Sequence, residues 1–205
     1  MIISQRILEC KLHADAPSPA ISGLKKTNKY DIIPIIMTAE DFSMNGMTRR
    51  EREITDINEI IKILDESKVL HLGLVDGDEP YVVPMNYGYT LENGKLTLWL
   101  HGAKRGRKLD VMRANPKVFF EMECGITPFE GEIACKYGIT YASVMGKGIA
   151  EIVEDIETKK SALSFLMKTQ TGKVFEFEDK MADVVSVIRI DVSEFTAKHR
   201  PAPKK

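Results

Sequence analysis

The chain lacks a charge of one sign: 29 Lys and Arg stand against 30 Asp and Glu, a formal net charge of -1. No general attraction to nucleic acid or to an anionic membrane surface is therefore expected. Cysteine is scarce. Cys10, Cys124 and Cys135 are odd in number, with no CxxC and no paired histidine spacing, which disfavours a disulfide framework and a structural zinc site and suits a reducing cytoplasm. No metal is expected. No apolar run reaches the length of a membrane span, and the opening MIISQRILECKLHADA has too short an apolar stretch and too early an acidic residue for a signal peptide. A cytoplasmic location is the expectation. A P-loop, a GxGxxG and a Ser/His/Asp order are also missing, as are internal repeats and low-complexity tracts. At 205 residues and 43% hydrophobic content, what remains is one globular domain with appendages.

Residues 1–46 read as an N-terminal extension, because Pro17, Pro19 and Pro34 interrupt them and IIPIIM at 32–37 is their one compact apolar run. A domain is expected from Met47 to about residue 199, followed by a basic tail over 200–205. Thr55 or Asp56 can cap a helix to about Ser67, with Glu59 three residues after Asp56 and Ile57, Ile60, Ile61 and Leu64 on one face. Turns at Asp76-Gly77-Asp78 and Glu92-Asn93-Gly94 separate three β-type runs, which predicts an antiparallel meander. KVFFEME at 117–123 is a fourth strand. ITYASVMGKGIAEIVED at 139–155 is a fifth, with a bulge near Gly146 and Gly148. Helical spacing returns over 156–170, and a last strand runs from Val184 to His199. Five or six strands with two or three helices predict a small β-barrel with helices against it.

The segment LHGAKRGRKLDVMRANP, residues 100–116, carries the chemistry. A strand end passes through small residues into a short helix beginning near Arg105, with Lys104, Arg105, Arg107 and Lys108 within about a turn. Gly102 and Gly106 permit close backbone approach, and free N–H groups at the helix start favour an anion. Leu109 and Met112 are spaced to face a core, and Asn115-Pro116 stops the helix. A solvated basic face is the plain alternative. His101 can cap strand-end carbonyls or contact a ligand, whereas His71 alternates with leucines and reads as structural. Trp99 and Tyr141 read as core aromatics. Cys135, beside Lys136, is not expected to be a nucleophile.

EITDINEI, HLGLVDGDEPYVVPMNYGY, LWLHGAKRGRKLDVMRANPKVFFEME and YASVMGKGIAEI, in this order, resemble the pyridoxamine 5'-phosphate oxidase-like FMN-binding split β-barrel family, in its branch related to 5-nitroimidazole resistance proteins. The resemblance covers about Met47 to Lys198 and implies a mainly β, six-stranded antiparallel barrel of Greek-key type. It further implies a homodimer with flavin mononucleotide (FMN) in clefts between subunits. By that resemblance Val83, Pro84, Met85 and Asn86 flank the flavin ring, with Asn86 able to bond its pyrimidine edge. His101 and Gly102 lie on its ribityl and phosphate side. Lys108 is the phosphate lysine, with Arg107 or Lys104 as auxiliary cations. Ser143 and Val144 line the same cleft from the facing subunit.

The implied activity is an oxidoreductase passing electrons from NADH or NADPH to a small acceptor such as a nitro compound, a quinone or another flavin. A flavin-binding sensor, carrier or sink without turnover is the alternative, as is a split barrel holding haem or a deazaflavin. The namesake enzyme's substrate-phosphate arginines and C-terminal motif have no counterpart here, which disfavours oxidation of pyridoxamine phosphate.

Overall fold

The computed structural model describes residues 48–203; the expected extension over 1–46 and the last two residues lie outside them. Local signals set the first elements. Asp56 caps helix α1 (Ile57–Glu66), its carboxylate accepting from the Asn58 N–H at 2.8 Å. Gly77, at φ +68°, turns β2 (Leu70–Asp76) into β3 (Glu79–Met85). Asn93 and Gly94, both at positive φ, turn β4 (Tyr87–Glu92) into β5 (Lys95–Gly102), as the Asn-Gly pair favours. A two-residue β1 (Glu53–Ile54) precedes α1. Beyond β5 follow α2 (Arg107–Ala114), β6 (Lys117–Phe129), β7 (Gly138–Val153), α3 (Ile156–Thr171), α4 (Asp179–Asp183) and β8 (Ser186–Arg200).

The fold is mainly β and antiparallel, as expected, and differs from the reading in particulars. The described residues hold eight strands. The run YVVPMNYGYT is two strands broken at Asn86, and these lie at opposite ends of the ladder, whose order is β3-β2-β6-β7-β8-β5-β4 with β1 on β8. The meander is thus two hairpins held apart, with β6, β7 and β8 between them. Local alternation runs straight through Asn86, so only non-local pairing reveals the break. The ladder does not close on itself, because β3 and β4 end it without pairing each other. β6 extends six residues past the expected end, carried by a register shift between Cys124 and Thr127. The expected bulge on β7 falls between Lys147 and Gly148. Helix α4 has no counterpart in the expected elements, and Arg200, expected in the tail, is the last residue of β8 and pairs with Tyr141 of β7.

One face of the sheet closes over Leu70, Leu72, Leu98, Leu100, Phe120, Met122, Ile188 and Ile190, with Ile60, Ile63 and Leu64 of α1 plugged among them. Tyr87 is wholly buried there, and its hydroxyl donates to the Leu64 carbonyl at 2.7 Å. That bond satisfies one of the carbonyls left open at the end of α1. Helix α3 lies across β4 and β5, where Trp99 and Phe165 rings meet with centroids 6.0 Å apart. A side chain at Gly88 would enter the backbone of Leu166, so the close helix–sheet approach depends on that glycine.

Candidate functional site

The strand β5 ends in His101 and Gly102, opposite Val187 and Ser186 of β8. The chain then turns through residues 103–106 into α2, which starts at Arg107, two residues later than expected, with Gly106 at its N-cap and no side-chain cap bond. Leu109, Val111 and Met112 are buried and anchor this short helix, and Ala114 ends it before Asn115-Pro116. The first backbone bonds go from the Leu109 and Asp110 N–H groups to the Gly106 carbonyl. The N–H groups of Arg107 and Lys108 therefore precede the helical ladder and stay open to an anion.

The four cations separate on inspection. Lys104 donates to Asp183 of α4 at 3.1 Å. Arg107 donates to Asp76 at 2.7 Å and lies 4.6 Å over the Tyr81 ring, and these contacts raise its already high pKa, chiefly through the Asp76 bond. Arg105 is exposed. Lys108 is half-buried and makes no hydrogen bond or ion pair among the described residues. Its side chain lies across Gly102: a Cβ there would stand 2.9 Å from Cε and 3.0 Å from Nζ. The missing Cβ is what gives the ammonium its place.

His101 sits beside this lysine, half-buried, and its Nδ1 is buried without a partner. Burial, and then the charge of Lys108, push its pKa below the ordinary value of 6.5. An ammonium unpaired among the described residues, two open N–H groups and a cradle that a Cβ would fill form a donor set for a small oxyanion, with the imidazole beside the lysine. The phosphate of FMN fits that set by charge and by donor chemistry.

The remaining expected residues are distributed differently. Val83, Pro84 and Met85 lie on β3, opposite Leu72, His71 and Leu70 of β2. Arg107 joins this hairpin to the cationic turn through Asp76 and Tyr81. Met85 is buried with the core, so it cannot present its side chain to an outer cleft. Asn86 donates to the Lys68 carbonyl at 3.1 Å and to Gln170 Oε1 at 3.4 Å, tying the ends of α1 and α3 together. Val144 is fully buried in the core, aligned with Met122 and Ala197. Ser143 faces the other way, between Glu123 and Lys198 in the ladder, and its Oγ has no partner. Within one protomer these two stand apart from Lys108, with β8 between β7 and β5.

Sequence reading missed two features of this region. One is the pair of carboxylates, Asp76 and Asp183, that hold Arg107 and Lys104; only the turn residue Asp76 was noticed, and as a turn. The other is on the outer face of the sheet, where His71 lies in register with Pro84 and Glu121 and its Nδ1 is 3.3 Å from Glu121 Oε2. Burial, then the neighbouring Glu123 carboxyl, raise the Glu121 pKa. A separate groove of about 640 Å³ between α1, α3 and β4 is lined by Ile61, Asp65, Lys68, Tyr89, Phe165 and Lys168 among others. None of its walls belongs to β3 or α2.

Among the described residues no group of three His, Cys, Asp or Glu side chains could hold a metal, and no helix is long and apolar enough to cross a membrane. Residues 56–199 match the family model described as pyridoxamine 5'-phosphate oxidase. The structure is similar to that of a candidate 5-nitroimidazole antibiotic resistance protein from Bacteroides thetaiotaomicron, at 31% identity and a TM-score of 0.62, over 72% of this chain and 86% of that one. A flavocytochrome of Azotobacter vinelandii shares the fold at 18% identity and a TM-score of 0.62, over 77% and 73% of the two chains. An FAD and heme binding protein of Mycobacterium smegmatis does so at 15% and 0.62, over 75% and 76%. No curated protein matches the chain.

Proposed function

The chain belongs to the pyridoxamine 5'-phosphate oxidase family, and from that premise we propose that it is an FMN-binding oxidoreductase, working as a homodimer with NADH or NADPH as donor and a small nitro compound, quinone or flavin as acceptor. The observation that carries this reading is the unpaired Lys108 ammonium lying on Gly102 beside the orphaned His101 nitrogen. When bound, the flavin supplies the redox chemistry, accepting and passing on hydride equivalents. The chain's own residues bind and orient. Lys108 and the Arg107 and Lys108 N–H groups would hold the phosphate, and β3, joined to α2 through Arg107, would set the ring's distance from it. The pattern of donors at this end suits a protein that positions a cofactor.

A homodimer is favoured by the outer face of the sheet. Val82, Gly73 and Phe119 share one cross-strand row; Val82 is 59% exposed and Phe119 42%, with Ile149 48% exposed on β7. Such an apolar face suits burial against a second copy.

The test is an absorbance spectrum of the purified protein, followed by anaerobic addition of NADH or NADPH. Flavin bands that bleach and return with an added nitro compound or quinone support the oxidoreductase. Bands that do not bleach point to a carrier or sensor, and a protein that fails to take up added FMN refutes the reading.

A further inference from the structure

The site carries less fixed positive charge than its sequence advertises. Lys104 and Arg107 are held by Asp183 and Asp76, and Arg105 is exposed, which leaves Lys108 as the half-buried cation of the turn. A phosphate monoester carries about −1.5 to −2 at neutral pH, so one ammonium leaves it incompletely balanced. The other unsatisfied group at this end of β5 is His101 Nδ1. In a neutral imidazole that atom is either a donor or an acceptor, and neither role is met among the described residues. The groups packed around the ring are few in charge. Helix α2 contributes Lys108, β8 offers Val187 and Ser186 across the ladder, and Asp183 of α4 is taken by Lys104.

We propose that His101 is the second cation of this site, charged only while a phosphate monoester lies against it, so that FMN is bound with uptake of a proton and riboflavin is not. The inference rests on the phosphate reading of Lys108 given above. Without an anion, burial and the lysine favour the neutral ring. A dianion reverses the sign of that local potential and favours the protonated ring. His101 thereby becomes a specificity residue, separating the phosphorylated flavin from its unphosphorylated parent. Between the pKa of the free protein and the higher pKa of the complex, the FMN dissociation constant rises about tenfold per pH unit as protons become scarce.

Isothermal titration calorimetry at pH 7.5, where free FMN is already close to a dianion, tests this in two buffers of widely different ionisation enthalpy. The expected result for the wild-type chain is an enthalpy difference equal to nearly one proton taken up per FMN and none per riboflavin, a comparison that needs no variant. His101→Gln is expected to bind FMN with the uptake abolished and the pH dependence flat. FMN binding without uptake, or uptake that persists in His101→Gln, overturns the assignment of His101 alone. Failure to bind FMN at all overturns the phosphate site on which it rests.

Discussion

Replacing Lys108 with Ala removes the half-buried cation of the turn, which has no carboxylate partner among the described residues. The side chain is half-buried and lies on a backbone with no Cβ beneath it, so its loss opens space at a surface and breaks no core contact. A hydrogen bond to a charged group contributes about 1.5–3 kcal/mol, which is a roughly 10- to 150-fold weaker dissociation constant for FMN at 1.4 kcal/mol per decade. The same substitution at Lys104 removes a cation whose Asp183 partner is exposed. Exposed pairs contribute about 0–1 kcal/mol, so the expected change there is within about fivefold. Lys62→Ala, on α1, serves as a charge control and leaves the affinity unchanged. Titration by flavin fluorescence, with circular dichroism to confirm folding and riboflavin as the ligand lacking phosphate, gives the result. Riboflavin affinity should be the same in Lys108→Ala and wild type. Equal FMN affinity in both, or a parallel loss for riboflavin, would refute the phosphate role.

Gly88→Ala drives a methyl into the Leu166 backbone, and overpacking of this kind costs about 1–3 kcal/mol; a chemical denaturation midpoint equal to wild type would contradict the packing described. Tyr87→Phe strands the buried Leu64 carbonyl, with an expected loss of about 1–3 kcal/mol in the same assay. The raised pKa of Glu121 means that the folded state holds its proton more tightly than the unfolded chain. Stability from this group is full below its ordinary value of 4.5 and is lost as pH rises through the folded value. Glu121→Gln should therefore flatten the pH dependence of the denaturation midpoint just above that value. Val82→Lys places a charge on the outer apolar row and should shift the protein toward monomer by light scattering, with weaker FMN retention; an unchanged mass would remove this face from the interface.

Much of this architecture was readable in the chain because its signals are local. Asp56 names the start of α1, Asn93-Gly94 names a hairpin, and the LHGAKRGRK turn shows a cationic loop on the end of a strand. What escaped depends on distant partners. Nothing near Arg107 or Lys104 in sequence indicates that Asp76 and Asp183, 31 and 79 residues away, already hold them, so four cations looked alike. The acceptors that Asn86 finds at the ends of α1 and α3 lie 18 and 84 residues away and leave no mark near it in the sequence. The inward turn of the Met85 and Val144 side chains is hidden for the same reason: which face of a strand turns inward is settled by the whole ladder, and a break such as the one at Asn86 changes what alternation means on either side of it.

Pro80 and Pro84 sit on β3, the terminal strand of the open ladder. Their nitrogens alternate with that of Val82 along the same side of the backbone, so of three successive N–H positions on that border two carry no hydrogen. Proline is tolerated in a sheet where its nitrogen faces outward from an edge. The border is thus a poor template for another strand, since an added chain would find carbonyls with few donors between them. If the exposed apolar row of β2, β3 and β6 is the proposed interface, an unprotected sheet edge beside it would add a risk of growth strand to strand. At this margin strand addition is hindered while the apolar face is left open, so the proposed dimer would form by packing of faces and not through the β3 edge.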